Sequence, residues 1–336
     1  MIKSFFSYFL IAPVVLILAG CDGSGGQHEA IDPVLSNPIF KGINDSIRKF
    51  PNDPELYLRR AKMLSLNNAH EIANADYRKS WDLQPTKETG LLFASNLSIL
   101  DKPDERTEFL KLAEKKFPGD PEFNRLLGES YIESGDDKAA LEIYDNLLKK
   151  DSLDFESWYE KGRVLAQLKD TASAIAALKK AYSLQPVNTY ALELAHLYAE
   201  MKNPIALRIC DEVDAGDSAK EMVDPFFIKG IYYSNTKQYK QAIIAFDSCI
   251  RRDWKFADAY IEKGIAFFKQ QNYDEALNTF RLAATVSNID PDAYFWIGRC
   301  YEAVNKKEEA LTYYERALAL DRNFVEAREA IKRLKG

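Results

Sequence analysis

Apolar and polar side chains alternate along this chain with the period of an α-helix, and the helices come in pairs. Trp158, Gly162 and Leu165 fall three to four residues apart and so share one helical face. Asp170 and Thr171 punctuate the pattern, and Ala174, Leu178 and Ala181 then make a second face that Pro186 closes. The same two-helix pattern returns down the chain. Gly128, Gly162, Gly230, Gly264 and Gly298 are separated by 34, 68, 34 and 34 residues, and Ala140, Ala174, Ala242, Ala276 and Ala310 repeat those four intervals. A fixed period of this size marks stacked repeats, in which each unit buries its apolar face against its neighbours. The small residues serve a steric purpose, since at Gly162 and Ala174 they let two helix backbones approach closely.

Laid out on this period, residues 54–324 divide into eight units. The unit at 54–87 carries Tyr57, Ala61, Ala73, Tyr77 and Pro85. That at 121–154 carries Gly128, Tyr131, Ala140 and Tyr144, and that at 291–324 carries Tyr294, Gly298, Tyr301, Ala310, Tyr314 and Ala317. Units 155–188, 223–256 and 257–290 are equally regular. Two are degenerate. Residues 88–120 are one short and put Ser95 and Thr107 at the small positions; residues 189–222 put His196 and Arg208 there, which reads His196 as a helix-packing residue. The segment Phe50-Pro51-Asn52-Asp53-Pro54-Glu55 is echoed by Phe117-Pro118-Gly119-Asp120-Pro121-Glu122, which fixes where a unit starts. Residues 39–53, with Ile39, Ile43, Ile47 and Phe50 on one face, and residues 325–336, with Ala327, Ala330, Ile331 and Leu334 on one face, read as capping helices.

These residues resemble the tetratricopeptide repeat, whose signature runs Trp-x2-Leu-Gly-x2-Tyr, then Ala-x3-Phe, then Ala and Pro. The resemblance covers residues 54–324. It implies an all-α fold, a right-handed α-solenoid of stacked helix-turn-helix repeats, and a concave groove that binds other proteins or peptides. It also implies which residues line that groove: the second, fifth, ninth and twelfth of each unit. These include Arg125 and Glu129, Tyr159 and Arg163, Phe227 and Ile231, Ile261, Ile265 and Phe268, then Phe295 and Arg299. The groove so read is charged in its middle and apolar in its C-terminal third. The alternative is that neighbouring units cover these side chains. The Lys and Asn pattern of the chaperone-binding subfamily is absent.

The beginning of the chain has a different character. Met1-Ile2-Lys3 is followed by an apolar run from Phe5 to Ala19, softened by Ser7 and Tyr8. One cation, about fifteen apolar residues and then small residues is the layout of a secretory signal, too short for a spanning helix. It closes on Leu18-Ala19-Gly20-Cys21, which resembles the lipobox of bacterial lipoproteins. The resemblance implies a signal peptide at 1–20, acylation of Cys21, and a membrane anchor facing the cell envelope; an uncleaved anchor or an ordinary signal peptide is the other reading. Residues 21–38, opening with Cys21 and then Asp22-Gly23-Ser24-Gly25-Gly26, read as a flexible tether with a reach of roughly 20–25 Å.

Composition narrows the chemistry. With 51 acidic against 45 basic residues, interspersed, the net charge is −6. No basic stripe exists for phosphate backbones, so nucleic acid is not an expected partner. The four cysteines, Cys21, Cys210, Cys249 and Cys300, have neither metal nor redox spacing; Cys249 and Cys300 lie inside helices, where buried thiols pack as small apolar groups, and a disulfide between Cys210 and Cys249, in adjoining units, is the minor alternative. His28, His70 and His196 are scattered. No phosphate loop, nucleophile elbow or metal-ligand helix is present, so neither an enzyme nor a cofactor is expected. The expected function is a lipid-anchored scaffold or adaptor for protein partners in the bacterial envelope. Similar repeats also occur in exopolysaccharide machinery, which makes glycan export or glycan binding the alternative.

Overall fold

The computed structural model describes residues 33–336; the leader at 1–20, Cys21 and the tether up to residue 32 lie outside the described residues. Among those described there is no strand: the chain is a 3₁₀ turn, Pro38–Phe40, and eighteen α-helices. It divides into two compact units at Thr89.

The first unit holds α1 (Lys41–Lys49), α2 (Pro54–Leu66) and α3 (His70–Leu83), and ends in the first turn of α4 (Lys87–Ile99). Residues 33–36 form a turn, and Asn44 ties it to α1 by donating to the Leu35 carbonyl at 2.8 Å. α2 starts at Pro54 because the Asp53 carboxylate accepts from the Glu55 N–H while Pro54 has no N–H to satisfy. Ala61 and Ala73 are fully buried where α2 and α3 meet, beside Leu64 and Tyr77. Arg60 pairs with Asp76 through two hydrogen bonds of 2.6 and 2.7 Å and donates a third, of 2.9 Å, to Asn44. One guanidinium thus ties α1, α2 and α3 together.

The second unit continues in pairs: α5 (Pro103–Lys116) after α4, α6 (Pro121–Glu133) with α7 (Asp137–Lys150), and α8 (Phe155–Gln167) with α9 (Thr171–Leu184). Then come α10 (Asn188–Glu200) with α11 (Ile205–Gly216), α12 (Asp224–Asn235) with α13 (Tyr239–Arg252), and α14 (Ala257–Lys269) with α15 (Tyr273–Val286). α16 (Pro291–Ala303) pairs with α17 (Lys307–Leu320), and α18 (Val325–Lys335) closes the stack. Each second helix from α7 to α15 also packs on the first helix of the following pair, and α17 packs on α18. In the regular pairs the two helices approach over glycine and alanine. A Cβ on Gly128 would stand 2.7 Å from the Tyr144 ring, and one on Gly264 2.5 Å from Phe280. The tyrosine, phenylalanine or leucine sixteen residues on fills the space that the missing side chain leaves. α18 covers the last pair with Ala327 and Ala330 and turns its charged face outward.

The turn inside each pair carries one residue at positive φ: Asn68, Asp101, Gly135, Lys169, Lys202, Lys237, Gln271 and Asn305. This ladder measures the repeat directly. Its steps are 34 residues except around the second and fifth pairs, where Asn68 to Asp101 and Lys169 to Lys202 are 33 and Lys202 to Lys237 is 35. The small position lies seven residues before each rung. It therefore falls on Ala94 and Ala195, both fully buried, not on Ser95 and His196. In the second helices the slot five residues after the rung holds Arg106, while in the fifth pair Ala206, one residue earlier, is the buried alanine. The sequence layout misses both one-residue shifts because neither degenerate unit carries a glycine at the marker position.

Candidate functional site

With the register corrected, His196 occupies the ninth place of its unit, the place of Glu129, Arg163, Ile231, Ile265 and Arg299 in the others, and Leu192 takes the fifth. Both face a wide cleft on the first-helix side of the second unit. This cleft, about 460 Å³, opens between α10 and α12. Thr189, Leu192 and His196 form one wall, Phe227 and Ile228 the other, and Met222 and Phe256 close its ends. Glu193 and Asp224 stand at its rim. Its cause is local. Seven residues, 217–223, separate α11 from α12, and within them the Asp217 carboxylate accepts from the N–H groups of Lys220 and Met222. Those N–H bonds, that of Met222 first, keep Asp217 below the usual carboxylate range. Arg252 reaches across from α13 to the Met222 carbonyl at 2.6 Å and to Asp214 at 2.7 Å. Phe227 is thereby left half-buried, wedged edge-on against Phe256 at 5.1 Å and tilted on Phe246 at 5.8 Å.

The other residues predicted to line an apolar C-terminal groove are more deeply placed than the sequence suggests. Ile261 and Phe295 retain 8% and 7% of their surface, so they belong to the core of the stack. Phe295 packs on Tyr314 at 5.5 Å and Phe324 at 5.1 Å. Ile265 is half-buried against the same core, and Ile231 against the core formed around α10 and α11. The reason is that the first helices touch one another as well as their partners, so a fifth-position side chain reaches the adjacent unit before it reaches solvent.

The charged middle is closed on itself. Arg125 lies 3.2 Å from both Asp154 and Glu156. Glu129 pairs with Arg106 at 3.2 Å, and Arg163 with Glu160 at 2.9 Å. Tyr159 stacks on Tyr190 at 4.4 Å between centroids. Burial first, and then the neighbouring Glu193, push its phenol up to about 12. Burial likewise raises Glu160 despite Arg163 beside it. Arg106 itself is almost wholly buried in the alanine slot; besides Glu129 it reaches Glu133 at 2.8 Å, and its Nε has no hydrogen-bond partner among the described residues.

At the far end of the same face, Arg299 lies over three rings: Phe268 at 5.6 Å, Trp296 at 5.6 Å and Phe295 at 5.9 Å. Cys210, Cys249 and Cys300 are buried free thiols whose burial pushes each up to about 12. Among the described residues no cluster of three or more His, Cys, Asp or Glu is arranged to hold a metal ion, and no helix is long and apolar enough to cross a membrane.

A tetratricopeptide repeat family model matches residues 125–189, 229–288 and 261–324. The peroxisomal targeting signal receptor of Candida albicans is 24% identical over 203 residues, 57% of this chain and 33% of the receptor, so the chain spans about a third of that relative's length. A tetratricopeptide repeat protein from Parabacteroides merdae has a similar solved structure, with a TM-score of 0.64 at 17% identity over 74% of this chain and 98% of that one. PilW, a type IV pilus biogenesis factor, follows with 0.54 at 15% identity over 63% and 98%. At these identities the likeness is one of fold.

Proposed function

The chain belongs to the tetratricopeptide repeat family, and from that premise we propose that it is a lipid-anchored scaffold, not an enzyme, that holds a protein partner near a bacterial membrane. The observation that carries the binding reading is the cleft between α10 and α12. It is a place on the first-helix face where the structure leaves half-buried Phe227 and Phe256 lining a recess beside a polar rim, with buried Leu192 and Ile228 behind them. A concave, mostly apolar site with a few polar groups is what a protein surface offers to an anchoring side chain. An amphipathic helix or extended segment would place one large apolar residue there. The neighbouring face is self-paired or packed, so it adds shape more than affinity. PilW, similar to this chain in fold, is a type IV pilus biogenesis factor.

The anchor rests on Leu18-Ala19-Gly20-Cys21 behind an apolar run. Two or more acyl chains would hold the protein stably to a bilayer, where one would not. Labelling with a fatty-acid probe tests it: Cys21→Ala should abolish the label and release the protein from membranes, and label that survives the substitution rules the anchor out.

A further inference from the structure

Charge is divided unevenly along the chain. Residues 33–89 carry nine basic and seven acidic side chains, whereas residues 90–336 carry thirty-five and forty-one. The excess of the first unit lies at its open end. α1 packs chiefly on α2, and the face it turns outward is exposed and holds Lys41, Gly42, Asp45, Arg48 and Lys49. Arg48 pairs with Asp45. Lys49 lies over the Phe50 ring at 5.1 Å, and Lys41 and Arg59 stand exposed, so none of these three is neutralised by an ion pair among the described residues. An apolar flank runs beside the basic face. Ile39, Gly42, Ser46 and Phe50 follow one another at helical spacing. Ile39 is 48% exposed and Phe50 52%. Ile39 and Gly42, with Leu56, Arg59 and Met63 of α2, line a recess of about 220 Å³.

We propose that this end of the first unit docks on the surface of an anionic bilayer, with Ile39 and Phe50 at the depth of the headgroups and Lys41, Lys49 and Arg59 against lipid phosphates. The inference rests on the anchor proposed above and extends it from attachment to orientation. Chain length is the reason for a bilayer. Cys21 and Pro33 are twelve residues apart, at most about 40 Å of extended chain and about 20 Å as a coil. The turn at 33–36 leads straight into α1 and is tied to it by the bond from Asn44 to the Leu35 carbonyl. An acyl group at Cys21 therefore holds this face within reach of lipid, at an effective concentration in the millimolar range. Individually weak contacts then suffice, and cations beside exposed apolar side chains are a second signal that can accompany a lipid chain. A second copy of the chain meets the opposite condition, because two such faces would bring like charges together.

Gly42 offers a position for the test, since a Cβ there meets nothing within 4 Å. The full chain carries a benzophenone amino acid at position 42 or, as a control, at exposed Ala75 on α3. It is reconstituted into vesicles of phosphatidylethanolamine and phosphatidylglycerol, floated and irradiated. The expected result is a phospholipid adduct on the peptide 42–48 and little from position 75. The yield at 42 should fall about fivefold for each cation removed in Lys49→Gln and Arg59→Gln, with the circular dichroism spectrum unchanged. Equal lipid adducts from 42 and 75, no lipid adduct from 42 in the floated chain, or a yield indifferent to both substitutions would overturn the proposal. So would an adduct between two copies of the chain in place of the lipid adduct. Flotation reads the anchor by itself: a chain that floats without the adduct at 42 loses the docking and keeps the attachment, and a chain that does not float loses both.

Discussion

Gly230 on α12 lies directly beneath the ring of Phe246 on α13: a Cβ added to the glycine would stand 2.3 Å from the ring's Cε1. The contact recurs at Gly128 with Tyr144, Gly264 with Phe280 and Gly298 with Tyr314. It makes the pair spacing a property of two residues sixteen apart. We expect Gly230→Ala to destabilise the second unit by about 1–3 kcal/mol, the usual cost of overpacking a filled site. Gly42→Ala is the control, since nothing lies within 4 Å of its Cβ position in α1. It should be neutral or stabilise by up to about 1 kcal/mol, the helix-propensity difference. Urea denaturation compares the two, and hydrogen exchange should localise the Gly230 effect to α12, α13 and their neighbours.

The turn ladder gives a second prediction. Lys169, Lys202 and Lys237 hold φ near 60°, a conformation that costs a side chain with a Cβ about 1–2 kcal/mol. Glycine adopts it freely but loses more chain entropy on folding. The net expectation for Lys237→Gly is a gain of about 0.5–1 kcal/mol, read as a higher denaturation midpoint. Lys237→Ala, which keeps the Cβ, should show no such gain.

Acid titration separates a third feature. Burial first, and then Asp258 and Asp292, raise the Glu262 carboxyl above its ordinary value. Between the unfolded value, about 4.3, and the raised native one, the native state binds more protons than the unfolded chain. Stability therefore falls as pH rises from the unfolded value through the raised native one. Glu262→Gln should raise the melting temperature at pH 7, with the difference from the parent chain closing as pH falls to about 4. A difference that grows on acidification would contradict the sign.

The fold is legible in the sequence because two independent series, the glycines and the alanines, keep one period, and a period is a steric statement. Caps are legible for the same reason: Asp120 followed by Pro121 suits the start of a helix, and the Asp120 carboxylate does accept from Glu122 and Phe123. The site is less so. Position rules name Phe295 and Ile261 as groove residues, yet they are core, because no sequence pattern reports how closely successive first helices approach. The cleft residues Leu192 and His196 escape through the one-residue slip in the fifth pair. The signal for it is Ala195, an alanine next to the histidine that a strict 34-residue period puts in the small slot. Arg106 is invisible for the opposite reason: a buried arginine in an alanine slot breaks the pattern by which slots are found.

The burial of Phe295 also changes which substitutions can probe binding. Phe295→Ala would cost about 3–5 kcal/mol as a core truncation and confound any binding readout. Phe227, half-buried at the cleft, is the usable position. The most direct test of the scaffold reading places a photo-crosslinking amino acid at His196, in the cleft, or at Ile244, which is 65% exposed on α13, and irradiates intact cells. A scaffold that binds through the cleft gives a defined protein adduct from position 196, lost when Phe227→Ala is added with the fold retained, and none of the same mass from position 244. Adducts from 244 but not 196, or a position-196 adduct indifferent to Phe227→Ala, would contradict it.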